Sequence, residues 1–189
     1  MTRTRAWSRL NYLDPRKILL GLNTIAATYP LEEYAKPARD LRTHELRPYG
    51  ESRQCAIFCF GMGEIFGLNI AYAHGEASDY DFVGTYLTEG ERVFVPIQMK
   101  EFVPSELDPN ADLNKEIKKL SKYADSRDLC VAIHLNRAGR LDLDSVRIPE
   151  LNIGQLWLFG ATSPDLDRWL LVGNMLKDHR IYEFRYPRA

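Results

Sequence analysis

Four side chains between positions 79 and 100 have the types and spacing for chemistry on phosphate: Asp79, Asp81, Gln98 and Lys100. Asp81 opens the run DFVGTY, and Gln98-Met99-Lys100 closes the run RVFVPIQMK. Thr88-Glu89-Gly90-Glu91 lies between them. β-branched and aromatic residues fill both runs and a glycine sits in the connection, which predicts an antiparallel hairpin. Side chains alternate along a strand, so Val95, Ile97 and Met99 take one face and Gln98 and Lys100 the other. Asp79 and Asp81 share a face if the first strand extends back that far. Such a hairpin gathers a carboxylate, an amide and an ammonium on one side of a sheet. A lysine beside oxygen ligands of a divalent cation suits phosphodiester hydrolysis, whose transition state concentrates negative charge.

The rest of the chain must hold that hairpin. Asp14-Pro15 is a helix start, an N-cap followed by proline at the first helical position. Ile18, Leu19, Leu22, Ile25 and Ala26 continue it at helical spacing to Tyr29-Pro30. The text from Pro30 to Gly50 is loop-like, with a short helix placed around Leu31 to Ala35. A strongly apolar run then predicts a buried helix from about Glu51 to Phe66, stopped by Gly67. Gly61 and Gly63 weaken it by about 1 kcal/mol each relative to alanine but let it lie close to a sheet. Cys55 to Phe60 also reads as a strand. Leu68 to Ala73 is expected as a strand, with His74 to Ala77 turning into the hairpin.

After a loop at Val103 to Pro109, Asp112 to Ala124 reads as an amphipathic helix. Leu113, Ile117, Leu120 and Ala124 form its apolar stripe; Lys115, Lys118, Lys119 and Lys122 form the opposite face. Leu129 to Leu135 and Gln155 to Phe159 are apolar strands, with His134 on the face of Ala132 and Asn136. Ser163-Pro164-Asp165 reads as the cap of a helix to about Met175, and Ile181 to Tyr186 as an edge strand. This order predicts an α/β fold, a mixed sheet with helices packed on its faces.

At 189 residues and 45% hydrophobic content the chain can build a core. Positions 1–49 read as an arm and helical segment and 50–189 as the core domain, one globular unit in all. A net charge of −1 confines any nucleic-acid contact to a local patch, such as the four lysines of the amphipathic helix. Cys55, Cys59 and Cys130 lack metal-ligand spacing and read as buried thiols in a reducing cytoplasm. Met1 to Leu13 carries Arg3, Arg5 and Arg9 but no apolar run, so a solvated terminus is expected and no secretory leader. No stretch reaches the roughly 20 apolar residues of a membrane span.

Helix, Asp-bearing hairpin, a strand ending in Gln-x-Lys, then helix and strand resembles the PD-(D/E)XK nuclease superfamily, the fold of restriction endonucleases. The matching residues are Asp81 within SDYDF and Gln98-Met99-Lys100 within VPIQMKE, and the resemblance spans roughly Gly50 to Asn136. Gln98 stands where the family usually has an acid. The resemblance implies a Mg²⁺- or Mn²⁺-dependent endonuclease acting on nucleic acid, with DNA favoured over RNA. Asp81, the Gln98 carbonyl and Glu51 would hold the metal, and Lys100 would orient or deprotonate the attacking water. Glu51 and Glu64 both qualify as the family's helix acid. Glu51 is preferred because it lies at the expected helix start, where the dipole favours a carboxylate. His134 and Asn136 would line the site, and a homodimer is compatible with the class.

Two other readings stand beside this one. Asp79-Tyr80-Asp81 also resembles the Asp-x-Asp motif of nucleotidyltransferases, although AYAHGEASDYD lacks that family's Gly-Ser pair. The neutral Gln98 equally suits a nuclease fold that binds without cutting.

Overall fold

The computed structural model describes residues 6–77, 79–124, 126–177 and 179–188. Helix α1 (Pro15–Thr28) starts on Asp14, whose carboxylate accepts the N–H groups of Arg16 and Lys17. A single 3₁₀ turn, Leu31–Glu33, and the short α2 (Lys36–Arg39) lead to the long α3 (Arg47–Phe66). Gly67 ends α3 in the left-handed conformation, with φ of 65°. Helix α4 (Leu113–Lys118) continues as a 3₁₀ turn over Lys119–Lys122. No helix among the described residues is long and apolar enough to cross a membrane.

Among the described residues, seven strands form one mixed sheet, laid side by side in chain order. They are β1 (Ala71–Ala77), β2 (Tyr80–Thr88), β3 (Glu91–Phe102), β4 (Ser126–Leu135), β5 (Ile153–Ala161), β6 (Arg168–Gly173) and β7 (Arg180–Arg185). The β3–β4 and β4–β5 pairs are parallel, and the outer pairs on both sides are antiparallel. Glu89 and Gly90 both take positive φ, 51° and 81°, the two-residue turn that matches the twist of a hairpin.

Strand alternation separates two apolar layers. Met99, Ala132 and Phe159 face α3, whereas Val131, Ile133 and Leu158 face α4. Seven consecutive residues of α3, Cys55 to Gly61, are buried, because the helix is packed between α1 and the sheet. A helix enclosed on both sides carries no polar stripe, which is why the same letters also suit a strand. Gly61 is required at this packing: a Cβ there would stand 2.5 Å from the Phe184 ring of β7.

Several expectations need correction. β1 begins at Ala71, not Leu68, and runs through His74 and Gly75 with a bulge before Ala77. Gly75 stays in the strand because the Tyr80 ring crosses over it, where a Cβ would meet that ring at 2.4 Å. Residues 6–13 are not a solvated arm. Trp7 is buried, its Nε1 donates to the Tyr80 hydroxyl at 2.9 Å, and Leu13 bridges to Tyr72 on the open side of β1. Arg3 and Arg5 lie outside the described residues.

The helix expected from Ser163 to Met175 is β6 instead. Ser163 Oγ accepts the N–H groups of Asp167 and Arg168, closing a turn, and the chain then extends. Trp169 and Leu171 join the α3 layer and Val172 the α4 layer, a period of two that four apolar letters in a row conceal. The helix expected over Asp112 to Ala124 is shorter and ends in the 3₁₀ turn. Tyr123, not Ala124, completes its buried stripe.

Candidate active site

The hairpin register sets the first contacts. Phe82 pairs with Ile97, which brings Asp81 level with Gln98. Asp81 Oδ2 accepts the Met99 N–H at 2.9 Å and also accepts from Gln98 Nε2. Gln98 is buried, and its Oε1 accepts the Tyr123 hydroxyl at 3.1 Å. Tyr123 comes from the end of the 3₁₀ turn after α4, so the α4 layer fixes the amide. Asp81 Oδ1 has no hydrogen-bond partner among the described residues.

Lys100 follows on the same face, in register with Ile133. Burial lowers its pKa, against the opposing pull of Asp81 and Glu51. Burial raises the Asp81 carboxyl, and the Met99 N–H and Lys100 offset part of that rise. Each group therefore lies within the other's field.

Glu51 reaches the same cavity from α3, where it pairs with Arg47 at 2.9 Å. It is not at the helix start. The helix begins one turn earlier at Arg47, with Pro48 in its first turn, so Glu51 owes its position to the cavity wall and to Arg47, not to the helix dipole. Glu64 is exposed, and at about 1.5 Å of rise per residue it sits about 20 Å further along the axis. Asp79 lies in the turn before β2 and does not line the cavity.

The opposite face of the strand ends contributes groups that the motif does not contain. Glu101, in register with His134, accepts both Arg42 nitrogens, at 2.5 and 3.1 Å, and Asn136 Nδ2 at 2.7 Å. The His134 ring stacks on Phe159 at 5.0 Å and on Trp169 at 5.6 Å. Among the described residues its buried Nδ1 has no hydrogen-bond partner. Burial, with Arg53 and Arg42 adding to it and Glu101 opposing, pushes the His134 pKa down to about 4, so the ring is neutral. Glu101, His134, Asn136 and Arg53 border one cavity of about 490 Å³ with Asp81, Gln98, Lys100 and Glu51, and Asp40, Leu41 and Arg42 close its third side. Glu101 was legible in principle, as the residue after Lys100 on the alternate face. Arg42, 59 residues away, was not.

Lys115, Lys118, Lys119 and Lys122 are all exposed, and Lys119 pairs with Glu116 at 2.6 Å. Lys122 lies over the Tyr123 ring and close enough to Lys100 to lower its pKa further.

Among the described residues, no three His, Cys, Asp or Glu side chains are grouped for a metal. The donors present suit a hard cation of the Mg²⁺ type, which takes one or two carboxylates and completes its shell with water and substrate phosphate. Asp81 would supply one carboxylate and Glu51 a second. The Gln98 amide turns its nitrogen toward Asp81, and a half-turn would exchange the two ends. Tyr123 accommodates either orientation, because a phenol both donates and accepts.

Comparison with protein-family models, with curated proteins and with solved structures gives no match.

Proposed function

We propose that the chain is a Mg²⁺- or Mn²⁺-dependent nuclease of the restriction-endonuclease-like class, hydrolysing phosphodiester bonds in DNA. The observation that carries this reading is the apposition of Asp81 and Gln98 across the hairpin, with Lys100 next on the same face and Glu51 opposite. Asp81, Gln98 and Glu51 would hold the cation, which supplies Lewis-acid charge to a bound phosphate. Lys100 donates to the attacking water or to the phosphate oxygens, and its lowered pKa eases the loss of a proton. Tyr123 keeps the Gln98 amide in plane, and the Met99 N–H keeps Asp81 turned to the site. The test is incubation of plasmid, single-stranded DNA and RNA with Mg²⁺ or Mn²⁺. Absence of cleavage of all three would sink the enzyme reading.

A fold that binds without cutting is the second reading, favoured by the neutral Gln98 and by its Nε2 facing Asp81. Gln98→Glu separates the two. It replaces a donor with a second anion beside Asp81, so without metal the variant should melt below wild type. Mn²⁺ should restore its melting temperature and bind it more tightly than wild type by calorimetry. Equal Mn²⁺ affinity in both would mean that Gln98 is not at a metal site. The Asp-x-Asp reading gains nothing from the geometry, because Asp79 is in a turn.

Nucleic-acid affinity should depend on the lysines of α4 and the 3₁₀ turn that follows it. Replacing Lys115 with Lys118, or Lys119 with Lys122, by alanine should flatten the plot of log affinity against log salt by about one unit for each phosphate no longer neutralised. Unchanged slopes in both pairs would leave the lysines as a solvated face.

A further inference from the structure

We infer that the cavity on the α3 face is a nucleotide subsite, so that the substrate is an unpaired strand and not an intact duplex. This rests on the nuclease reading only for which bond is cut; the binding claim stands apart from it. The first observation is shape. The cavity has three walls: α3 with Arg47 and Gln54, the strand ends with Glu101 and His134, and the strap at residues 40–42. The strap is fixed at two points. The Leu41 carbonyl oxygen packs so closely on Gly50 that a Cβ there would lie 3.1 Å from it, and Arg42 clamps Glu101 with two bonds. A walled space of about 490 Å³ has the size of a small-ligand site. A base pair enters such a space only by unpairing and extruding one nucleotide, whereas an unpaired strand bears no such penalty.

The second observation is charge. Arg42 is neutralised by Glu101 and Arg47 by Glu51. Arg53 and Lys100 line the cavity too, so it offers donors and acceptors side by side, and base edges present both together. The third is His134. Its ring packs against Phe159 and Trp169, and its buried Nδ1 has no partner among the described residues, an arrangement that costs stability unless a ligand supplies the hydrogen bond. Lys100 and Glu101 also border a smaller cavity of about 210 Å³, lined as well by Glu116, Lys119 and Lys122.

The experiment is fluorescence anisotropy of the full chain without divalent metal. It uses a labelled 12-nucleotide single strand and the blunt duplex of the same sequence. The single strand should bind at least roughly tenfold more tightly, the unpairing penalty setting the gap. His134→Phe keeps the stacking and removes the nitrogen, and should erase most of that preference with an unchanged circular dichroism spectrum. Gln54→Trp, which fills the cavity from α3, should do the same. Duplex binding equal to or tighter than single-strand binding, or a preference that survives both variants, would overturn the proposal. Adding Mn²⁺ to the same samples keeps the two readings apart. Strand preference without cleavage would remove the nuclease and keep the subsite. Equal cleavage of both forms would remove the subsite and keep the nuclease.

Discussion

Asp81→Asn should lower cleavage by roughly a thousandfold or more, the scale of losing a central electrostatic group from a hydrolytic site. The substitution keeps the size of the side chain and removes its charge. The folded chain should not suffer, and the reason lies in the same carboxylate. Burial raises the Asp81 pKa, so the fold holds that charge at a cost which the Met99 N–H and Lys100 only partly offset. An amide oxygen can keep the Met99 bond and escape the desolvation. The melting temperature should therefore stay level or rise while turnover collapses. Cleavage by wild type should also fall as pH drops through the raised Asp81 pKa, since a protonated carboxyl does not hold a cation. Turnover within tenfold of wild type in Asp81→Asn would place the chemistry elsewhere.

Stability should fall by about 3 kcal/mol between pH 6.5 and pH 4 through His134 alone, as the gap between the ordinary pKa of 6.5 and the folded value of about 4 implies. The sign follows from which state takes the proton. Below about pH 6.5 the unfolded chain binds it and the folded chain does not, so acid favours unfolding until the folded ring also titrates near 4. Above pH 6.5 the contribution is complete. The raised Asp81 carboxyl works in the other direction, because its folded form takes a proton more readily than its unfolded form. The His134 share is therefore the difference between wild type and His134→Phe, read from urea midpoints at matched pH. The phenyl ring should remove the acid loss and leave stability at pH 7 no lower. Parallel curves for the two proteins would show that His134 is not held neutral by its surroundings.

The hairpin was legible because its pattern has period two, its turn residues are diagnostic, and one face is apolar while the other carries Gln98 and Lys100. The end of α3 was legible from Gly67. Its start lies one turn before the expected one, because Leu46 gives no side-chain cap and Pro48 reads as loop. β6 reads as a helix because Trp169 to Val172 are apolar in succession, and only pairing with β5 and β7 decides their period. Of the candidate site, Asp81, Gln98, Lys100 and Glu51 are singled out by sequence pattern. Tyr123, Arg42 and the buried state of His134 depend on approach between distant segments, which no local pattern records. Trp7 was hidden in the same way: its partner Tyr80 is 73 residues on.

The order of the strands bears on how the protein is made. Every strand of this sheet lies beside the one synthesised just before it. During translation each new strand finds its template already in place, and no strand must wait for a distant partner to leave the ribosome. The β2–β3 hairpin closes through a two-residue turn, a local event of the kind that completes in microseconds. Loop-closure entropy is met in small instalments, which keeps contact order low for a sheet of this width. The Asp81–Gln98 contact can thus form well before β7 exists, while Phe184 of β7, which seals α3 against the sheet, arrives last. A nascent chain would hold the Asp81–Gln98 hairpin before it holds the finished core.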